Sequence, residues 1–390
     1  MKIQSIKATP VNIPFVAPYR FSYGAIAALT KTVIELRTQD GVVGLGECAD
    51  GDRAADIEAM GERLIGHDIR LVTEARVACV PGMAYSPWDN IVAKRRAFAG
   101  IEMAMWDARG KTEGLPLWHL LGGKLSDEIE LTEYFAFRDP GPDHPGEQTP
   151  VQVAKYCAKM IEEHGATIFE GKLATHDLAT ERDMVREVRA AIGDRELRLD
   201  ANGAWTVPTA KEAIQSLERY GVAWYEEPVE SYEEMVALRG VTQASLSSHQ
   251  IDLPKAVRLG APDAIVTNIN ELGGIAGAVD FIGSCAAFDV GFRFHSGETG
   301  VASAAYLHLS AALEHVRGAS QTLLRWYADD VIEGGPLRPK NGKLSLPYGP
   351  GLGVVLDPKA LDRCHTRYVT DGPFPSGPLG GGYGGRFRKS

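Results

Sequence analysis

Residues 167–205 read TIFEGKLATHDLATERDMVREVRAAIGDRELRLDANGAW. The stretch opens on a short apolar run that ends at Lys172, and it closes on a second such run that ends at Asp200. The segment between them, residues 178–192, has the apolar spacing of an amphipathic helix. This order predicts a strand–helix–strand unit, in which the two strands are parallel and both polar ends lie at the same edge of a sheet.

The same unit recurs along the chain. Eight strand-like runs alternate with helix-like stretches, which favours a parallel α/β barrel and is also compatible with an open doubly wound sheet. Neither a GxGxxG motif after a first strand nor a Walker loop is present, so a nucleotide-binding sheet has no support. The eight runs are residues 131–137, 167–173, 197–201, 223–227, 244–249, 264–269, 292–295 and 321–326.

The first third of the chain has a different pattern. Residues 32–37 and 42–47 alternate around Asp40-Gly41, which predicts a β-hairpin, and residues 97–109 predict a buried amphipathic helix. We therefore expect four regions, the last of them Gly-rich, basic and flexible. They are an α+β domain over 1–127, a barrel over 128–335, a C-terminal segment over 336–375 and a tail over 376–390.

Composition and charge narrow the class of protein. The 390 residues are 44% hydrophobic and 24% charged, which is ordinary for a soluble globular chain. A net charge of −10 argues against partners such as nucleic acids and anionic membranes, and no apolar stretch approaches the ~20 residues of a membrane span. Five scattered cysteines without CxxC spacing, and no evident N-terminal leader, predict a cytoplasmic protein with reduced thiols.

Polar residues stand at six consecutive predicted strand ends. One alone would be explained as a helix cap or turn residue, but six in succession predict a polar ring at the carboxyl-terminal mouth of a barrel. The ring consists of Lys172, Asp200 with Asn202, Glu226 with Glu227, Ser248 with His249, Asn268 with Asn270, and His295.

Two acids of this ring predict a metal site. Asp200 and Glu226 are one strand–helix unit apart, and paired carboxylates at such a mouth suit a hard divalent cation such as Mg²⁺. The alternative is that both are ion-paired surface acids. Lys172 and His295 are candidate bases. The alternatives are that Lys172 is a lysine that snorkels to solvent and that His295 is a histidine packed in the core.

Several motifs in order resemble the enolase superfamily, in its mandelate racemase, muconate lactonizing enzyme and glucarate dehydratase branches. The hairpin ending GLGE (44–47) and residues 100–110 resemble the capping domain of that family, and PGLGV (350–354) resembles the C-terminal segment of its acid-sugar dehydratases. The barrel motifs are LDANGAW (199–205), YEEP (225–228), ELGGI (271–275) and FHSGE (294–298).

The resemblance implies a fold and a reaction. The fold is a modified (β/α)₇β TIM-like barrel under an N-terminal α+β capping domain, completed by the C-terminal segment. The shared step is abstraction of the proton α to a carboxylate, giving an enediolate stabilised by Mg²⁺. By this resemblance Asp200 and Glu226 are metal ligands, Lys172 is the second lysine of a Lys-x-Lys motif, and His295 belongs to a His-Asp dyad.

Three positions depart from the family pattern. Glu170 replaces the first lysine of Lys-x-Lys, so Lys172 would stay more protonated or be held by Glu170. Asn268 replaces the dyad aspartate, which makes His295 a weaker base. His249 stands where the third metal ligand is normally Asp, Glu or Asn; we predict it as that ligand, with Asp252 as the acidic alternative.

The substrate would contact both the cap and the barrel. Tyr19, Arg20 and Tyr23 are placed in the first capping loop, where Arg20 and Tyr23 are predicted to bind substrate. From the barrel, Asn202, Glu170 and Gln321 are predicted to join them. The resemblance further implies a homo-oligomer, either a dimer or an octamer.

The sequence therefore predicts a lyase, an acid-sugar dehydratase-like hydro-lyase that acts on a small-molecule carboxylate. A racemase, epimerase or cycloisomerase shares the first half of that reaction and remains an alternative. A noncatalytic homologue that retains the barrel is the further alternative, because three positions depart from the pattern.

Overall fold

The computed structural model describes residues 1–80, 91–295, 297–316 and 318–374. Within these ranges an antiparallel sheet with helices forms an N-terminal cap, and a parallel sheet with helices forms a barrel. The predicted α/β fold, a modified (β/α)₇β barrel with an α+β capping domain, is confirmed. The domain limits at residues 127 and 335 remain predictions, and the expected tail over 376–390 lies outside the described residues.

The cap is built on one three-stranded antiparallel sheet. The predicted hairpin is present, with Val33 paired to Glu47 across its two strands. The first strand continues to Phe21 and the second begins at Gly24, so Arg20 lies in a strand rather than in the loop where the sequence placed it. The three strands are β1 (Ile3–Phe21), β2 (Gly24–Thr38) and β3 (Val43–Cys48).

The longest helix of the cap packs directly on this sheet. The predicted helix at 97–109 is the central part of this longer helix, α3, which lies across β3. A Cβ atom added at Gly46 would lie 2.0 Å from the carbonyl oxygen of Gly100, so glycine is required for this close approach. The helices are α1 (Ala54–Leu64), α2 (Val72–Cys79), α3 (Ile91–Glu113) and α4 (Leu117–Leu120).

The barrel follows the predicted alternation of strands and helices. Seven parallel strands form the barrel sheet, and each strand lies beside its neighbour in sequence. The strands are β5 (Glu133–Phe135), β6 (Ile168–Lys172), β7 (Glu196–Asp200), β8 (Trp224–Glu226), β9 (Ser245–Ser248), β10 (Ala264–Thr267) and β11 (Gly291–Phe294). The helices are α5 (Pro150–His164), α6 (Leu178–Ile192), α7 (Val207–Leu217) with a 3₁₀ turn (Glu218–Tyr220), α8 (Tyr232–Val236), α9 (Leu253–Leu259), α10 (Ile269–Leu272), α11 (Ile275–Ala287) and α12 (Gly300–Ala312).

The eighth predicted strand, residues 321–326, does not form. Ser320 makes a parallel bridge to Leu131, and the Gln321 amide N–H donates to the Phe294 carbonyl at 3.0 Å. These two residues close the barrel between β11 and the start of β5. The chain then turns away toward the cap, where the Trp326 carbonyl accepts from the Val16 amide at 2.8 Å, so no longer ladder can develop.

The C-terminal segment returns to the cap, as the fold prediction requires. Strand β12 (Lys343–Ser345) pairs antiparallel with β4 (Glu128–Glu130) at the start of the barrel region, and helix α13 (Pro358–Asp371) packs on β1 of the cap. The Leu352 amide donates to the buried Asp107 carboxylate at 2.7 Å, which joins this segment to α3.

Two further expectations concern the whole chain. All five cysteines are buried and none is in a disulfide, in agreement with the predicted free thiols. In the described part of the chain, each helix is too short or too polar to cross a bilayer.

Candidate active site at the barrel mouth

Three neighbouring strands end in charged side chains that lie close together at the barrel mouth. Lys172, Asp200 and Glu226 are the last residues of β6, β7 and β8, and their Cα atoms are paired in register across the sheet. All three side chains are buried, with Lys172 only 5% exposed. The strand–helix order that the sequence predicted therefore concentrates two acids and one base at the carboxyl ends of adjacent strands.

His249 joins the two acids to form a cluster that could hold a metal ion. One donor atom from each of Asp200, Glu226 and His249 lies within 4.8 Å of the other two. His249 directly follows β9, and its Nε2 lies 3.0 Å from Oε1 of Glu226. The predicted ligand set is thus brought together, whereas the alternative ligand Asp252 caps helix α9, where its carboxylate accepts from the Lys255 amide.

The ligand side chains are held by neighbouring groups. The His249 Nδ1 lies 2.8 Å from the Val266 carbonyl, an acceptor, which places a hydrogen on Nδ1 and directs Nε2 toward Glu226. Asn202 donates from its backbone to one oxygen of Asp200 and from its side chain to the other, at 2.7 and 2.8 Å. Two oriented carboxylates and one oriented imidazole fit a divalent cation.

The charges at this cluster influence one another strongly. Although burial disfavours charge, the carboxylates of Glu227 and Glu226 raise the pKa of His249 to about 10. Burial opposes ionisation of Glu226 as well, but the neighbouring His249 lowers its pKa below the usual range. Two carboxylates close together thus require positive charge between them, whether from a proton or from a cation.

Lys172 is held by Asp200 rather than by Glu170. Its Nζ donates to Oδ2 of Asp200 and lies 5.1 Å from the centroid of the Tyr134 ring. Burial penalises the ammonium, but the Asp200 carboxylate outweighs that penalty and raises the pKa of Lys172 well above its usual value. The expectation that Glu170 could hold Lys172 is wrong, because Glu170 has a different partner.

That partner is Gln321, which links Glu170 to the metal cluster. The Gln321 amide donates to Oε1 of Glu170 and to both oxygens of Glu226, the latter at 2.8 and 2.7 Å. Burial is the main cause that raises the pKa of Glu170 to about 7, and the neighbouring Glu226 charge adds to the increase. Glu170 and Gln321, two of the three barrel residues predicted to bind substrate, therefore lie beside the cluster, as the third, Asn202, does.

His295 approaches the cluster from another part of the mouth. It follows β11, and its ring centroid lies 4.6 Å from that of His249. Burial, then the nearby His249 and Lys172, lower the pKa of His295 well below its usual value. Asn268, which follows β10, caps helix α10 by accepting the Glu271 amide at 2.9 Å.

The two substrate-binding residues predicted from the first capping loop contact groups outside the cluster. Arg20 pairs with Asp139 at 2.7 Å, and its side chain is 46% exposed. The Tyr23 ring packs edge-on against Phe21, with centroids 4.4 Å apart. Tyr19, on the same strand as Arg20, is buried; burial raises its pKa, and the charges of Lys172 and Asp200 also act on it.

Sequence reasoning missed two groups near the site. Tyr134 lies on β5 beneath the Lys172 ammonium, but an aromatic residue within an apolar run looks like any core residue. Lys31 lies in β2 of the cap, is 6% exposed, and donates to the Ala49 carbonyl at 3.0 Å. Its charge acts on both His295 and Glu298 of the barrel. The signal in the sequence was a lysine directly before the predicted strand at residues 32–37.

Two buried oxygens of the site lack a hydrogen-bond donor among the described residues. They are Oδ1 of Asn202 and Oε1 of Gln321, whose amide nitrogens face Asp200 and Glu226. A buried acceptor without a donor is costly. These two atoms are therefore positioned to accept hydrogen bonds from hydroxyl groups or water.

Two family models match the chain over the regions described above. One, described as enolase C-terminal domain-like, matches residues 152–360. The other, described as the N-terminal domain of mandelate racemase / muconate lactonizing enzyme, matches residues 3–122. The first corresponds to the barrel and the second to the cap.

Curated relatives are similar over most of their length but differ in their reactions. A D-galactonate dehydratase from Ralstonia nicotianae is 29% identical over 356 residues, covering 83% of this chain and 88% of the relative. A chloromuconate cycloisomerase from Pseudomonas putida is 27% identical over 388 residues, covering 93% of this chain and 98% of the relative.

Solved structures share the whole architecture. An enolase from Streptomyces coelicolor, solved without magnesium, is 32% identical to this chain, with a TM-score of 0.85. The match covers 97% of this chain and 100% of that enolase. An enolase from Thermobispora bispora in complex with magnesium and formate is 26% identical, with a TM-score of 0.86 and coverage of 95% and 94%. An enolase from Mycobacterium smegmatis in complex with tartrate is 26% identical, with a TM-score of 0.87 and coverage of 96% and 94%.

Proposed function

This chain belongs to the enolase superfamily, and we propose that it is a lyase, a Mg²⁺-dependent dehydratase of a hydroxy acid of the acid-sugar type. The observation that carries the proposal is the arrangement at the barrel mouth. A buried lysine lies against a cluster of two carboxylates and an imidazole, and a second histidine lies beside that cluster.

Asp200, Glu226 and His249 would hold the ion. When bound, Mg²⁺ supplies positive charge that stabilises the negative charge developing on the substrate carboxylate as its α proton leaves. Enolases of the family have been crystallised with formate and with tartrate. Both ligands are carboxylates, which supports a carboxylate substrate for this chain.

Lys172 and His295 are the proton-transfer residues of the proposal. They end β6 and follow β11, so they reach the mouth from different sides of the barrel. One of them accepts the α proton, and the C–H electron pair becomes the second bond of a Cα=Cβ double bond as the β C–O bond breaks. The other protonates the β hydroxyl, which leaves as water, and the resulting enol ketonises to a 2-keto acid.

The polar lining of the site suits a substrate with several hydroxyl groups. The unpaired oxygens of Asn202 and Gln321 accept hydrogen bonds, and hydroxyl groups are donors. Glu170, whose pKa lies near 7, and the buried phenol of Tyr134 add further polar surface beside Lys172. An acid sugar would satisfy these groups, whereas an apolar ring would leave them unpaired.

A screen of mono- and diacid sugars with Mg²⁺, scored for 2-keto acid, tests the reaction. On an identified substrate, Lys172→Ala and His295→Asn should each lower turnover by roughly 10²- to 10⁴-fold. Lys159→Ala, which removes an exposed lysine on α5, serves as the matched control with unchanged turnover. Full turnover in both site variants would show that the proton-transfer assignment is wrong.

A racemase, epimerase or cycloisomerase is the second candidate. It is favoured by the chloromuconate cycloisomerase relative, which covers more of this chain than the dehydratase does. Such an enzyme shares the proton abstraction but loses no water. Reaction in D₂O distinguishes the two, because racemisation incorporates deuterium at the α carbon without forming a 2-keto acid.

A further inference from the structure

We propose that the centre formed by Asp200, Glu226 and His249 binds first-row transition dications such as Co²⁺ more tightly than Mg²⁺, and that His249 causes this preference. The inference rests on the metal centre of the proposed function and adds the ion selectivity that follows from this chain's own donor atoms. Mg²⁺ still occupies the centre, but with the lower affinity.

The orientation of His249 makes its Nε2 a metal donor. The Val266 carbonyl can only accept a hydrogen bond, so Nδ1 carries the hydrogen at their 2.8 Å contact. The lone pair of a neutral imidazole then lies on Nε2, which is 3.0 Å from Oε1 of Glu226. Two electron-rich atoms at that separation repel each other unless a proton or a cation lies between them, so a dication that displaces the Nε2 proton meets a donor already directed toward Glu226.

No third carboxylate completes the set among the described residues. Asp252 caps α9, and the Glu227 carboxylate accepts the backbone amide of His249 at 3.3 Å. The three-residue cluster is the only candidate metal group found in the described ranges. The ion would therefore meet two anionic oxygens and one neutral nitrogen from the protein.

This donor set disfavours Mg²⁺ in two ways. Mg²⁺ is a hard ion that prefers oxygen, so an imidazole is a poor replacement for a carboxylate. Two carboxylates also attract any dication less strongly than three. Transition dications recover that loss through bonding to the imidazole nitrogen, and Mg²⁺ does not. The ratio of the two affinities thus depends on residue 249.

Calorimetric titration of the intact, metal-free protein with CoCl₂ and with MgCl₂, in the absence of substrate, measures this ratio. We expect the ratio of Mg²⁺ to Co²⁺ dissociation constants to be at least about tenfold larger in the wild type than in His249→Glu, which restores a carboxylate. His144→Glu, a histidine-to-glutamate change at a partly exposed position outside the cluster, is the matched control and should leave the ratio unchanged.

Pulsed EPR of bound Mn²⁺ detects the nitrogen donor directly. We expect a ¹⁴N coupling in the wild type and in His295→Asn, and its loss in His249→Glu with Mn²⁺ still bound. An unchanged affinity ratio in His249→Glu, or a coupling that disappears only in His295→Asn, would overturn the inference.

These outcomes separate the inference from the proposed function. Failure of the acid-sugar screen leaves the ion preference intact, because binding is measured without substrate. An equal ratio in wild type and variant overturns the preference and leaves the reaction untouched. Failure of every ion to bind overturns both.

Discussion

The Asn202 side chain fixes the orientation of a proposed metal ligand. Its amide donates to Asp200 Oδ2 at 2.8 Å, and its backbone has a φ of 48°, a left-handed conformation that asparagine and glycine tolerate. We expect Asn202→Gly to keep the backbone and lose only the side-chain donor. Groups of this kind contribute about 10- to 100-fold to metal affinity, so calorimetry should show a loss within that range.

An Asn202→Ala variant separates backbone strain from the lost hydrogen bond. Alanine disfavours the left-handed conformation, so this variant should lose stability as well as metal affinity. If Asn202→Gly bound the ion as tightly as the wild type, the amide would have no role in holding Asp200.

The proposed metal ligands and Lys172 were predictable because each one ends a strand or follows it. Strand ends can be located from apolar runs, and a barrel brings consecutive ends together. Tyr134 and Lys31 were not predictable in this way, because their roles depend on contacts between strands and between the cap and the barrel. Arg20 was misplaced for a related reason: β1 extends further than its irregular, proline-containing sequence suggests.

The contact between strand β3 and helix α3 depends on glycine. A Cβ atom at Gly46 would lie 2.0 Å from a backbone oxygen of α3, and backbone cannot move as a flexible side chain can. We expect Gly46→Ala to lower the free energy of unfolding by about 1–3 kcal/mol, because the helix must shift away from the sheet. Chemical denaturation monitored by circular dichroism measures the change.

Gly283→Ala is the matched control for this prediction. Gly283 lies inside helix α11, and an added Cβ there would meet no atom within 4 Å. Alanine favours helix over glycine, so this variant should gain up to about 1 kcal/mol. Equal effects of the two substitutions would contradict the close-packing argument.

Most helices and strands were predictable from the sequence, but the eighth barrel strand was predicted and does not form. Residues 321–326 form a strand-like run with apolar residues, but within it only Gln321, which follows the bridged Ser320, makes a ladder contact. Further along the run, Trp326 contacts both domains: its carbonyl accepts from Val16 of β1, and its ring centroid lies 5.9 Å from that of the Tyr134 ring of β5. A sequence pattern records which residues are buried, and it does not record which of two domains buries them.

Buried carboxylates of the cap join it to the barrel. Glu47 of β3 accepts hydrogen bonds from Thr299 and Ala302 at the start of α12, at 2.7–3.0 Å. Glu102 of α3 accepts from Ile275 and Ala276 at the start of α11, at 2.6 and 3.0 Å. Helix N-termini favour such carboxylates, so these contacts hold the cap over the mouth.

Glu102 makes the stability of the whole molecule depend on pH. Burial outweighs its hydrogen bonds and raises the pKa of Glu102 from 4.5 to about 7. Between pH 4.5 and pH 7 the folded protein binds more protons than the unfolded chain. The stability that protonated Glu102 contributes is therefore complete below pH 4.5 and is lost as the pH rises through 7. The loss amounts to about 3 kcal/mol.

Glu102→Gln removes this titration. We expect the difference in unfolding free energy between wild type and Glu102→Gln to change by about 3 kcal/mol between pH 4 and pH 8, with the wild type relatively more stable at the lower pH. Denaturant titrations at both pH values give the difference. A difference that stays constant with pH would contradict the assignment.

The central claim is metal-dependent removal of an α proton from a carboxylate, and proton NMR in D₂O tests it most directly. The protein is incubated with a panel of acid sugars, with and without Mg²⁺, and the α-proton signal is followed over time. The account predicts that one or more acids lose this signal and form a 2-keto acid, only with the divalent ion and not in Lys172→Ala combined with His295→Asn. Loss of the α-proton signal at the same rate without the ion or in the double variant would contradict it.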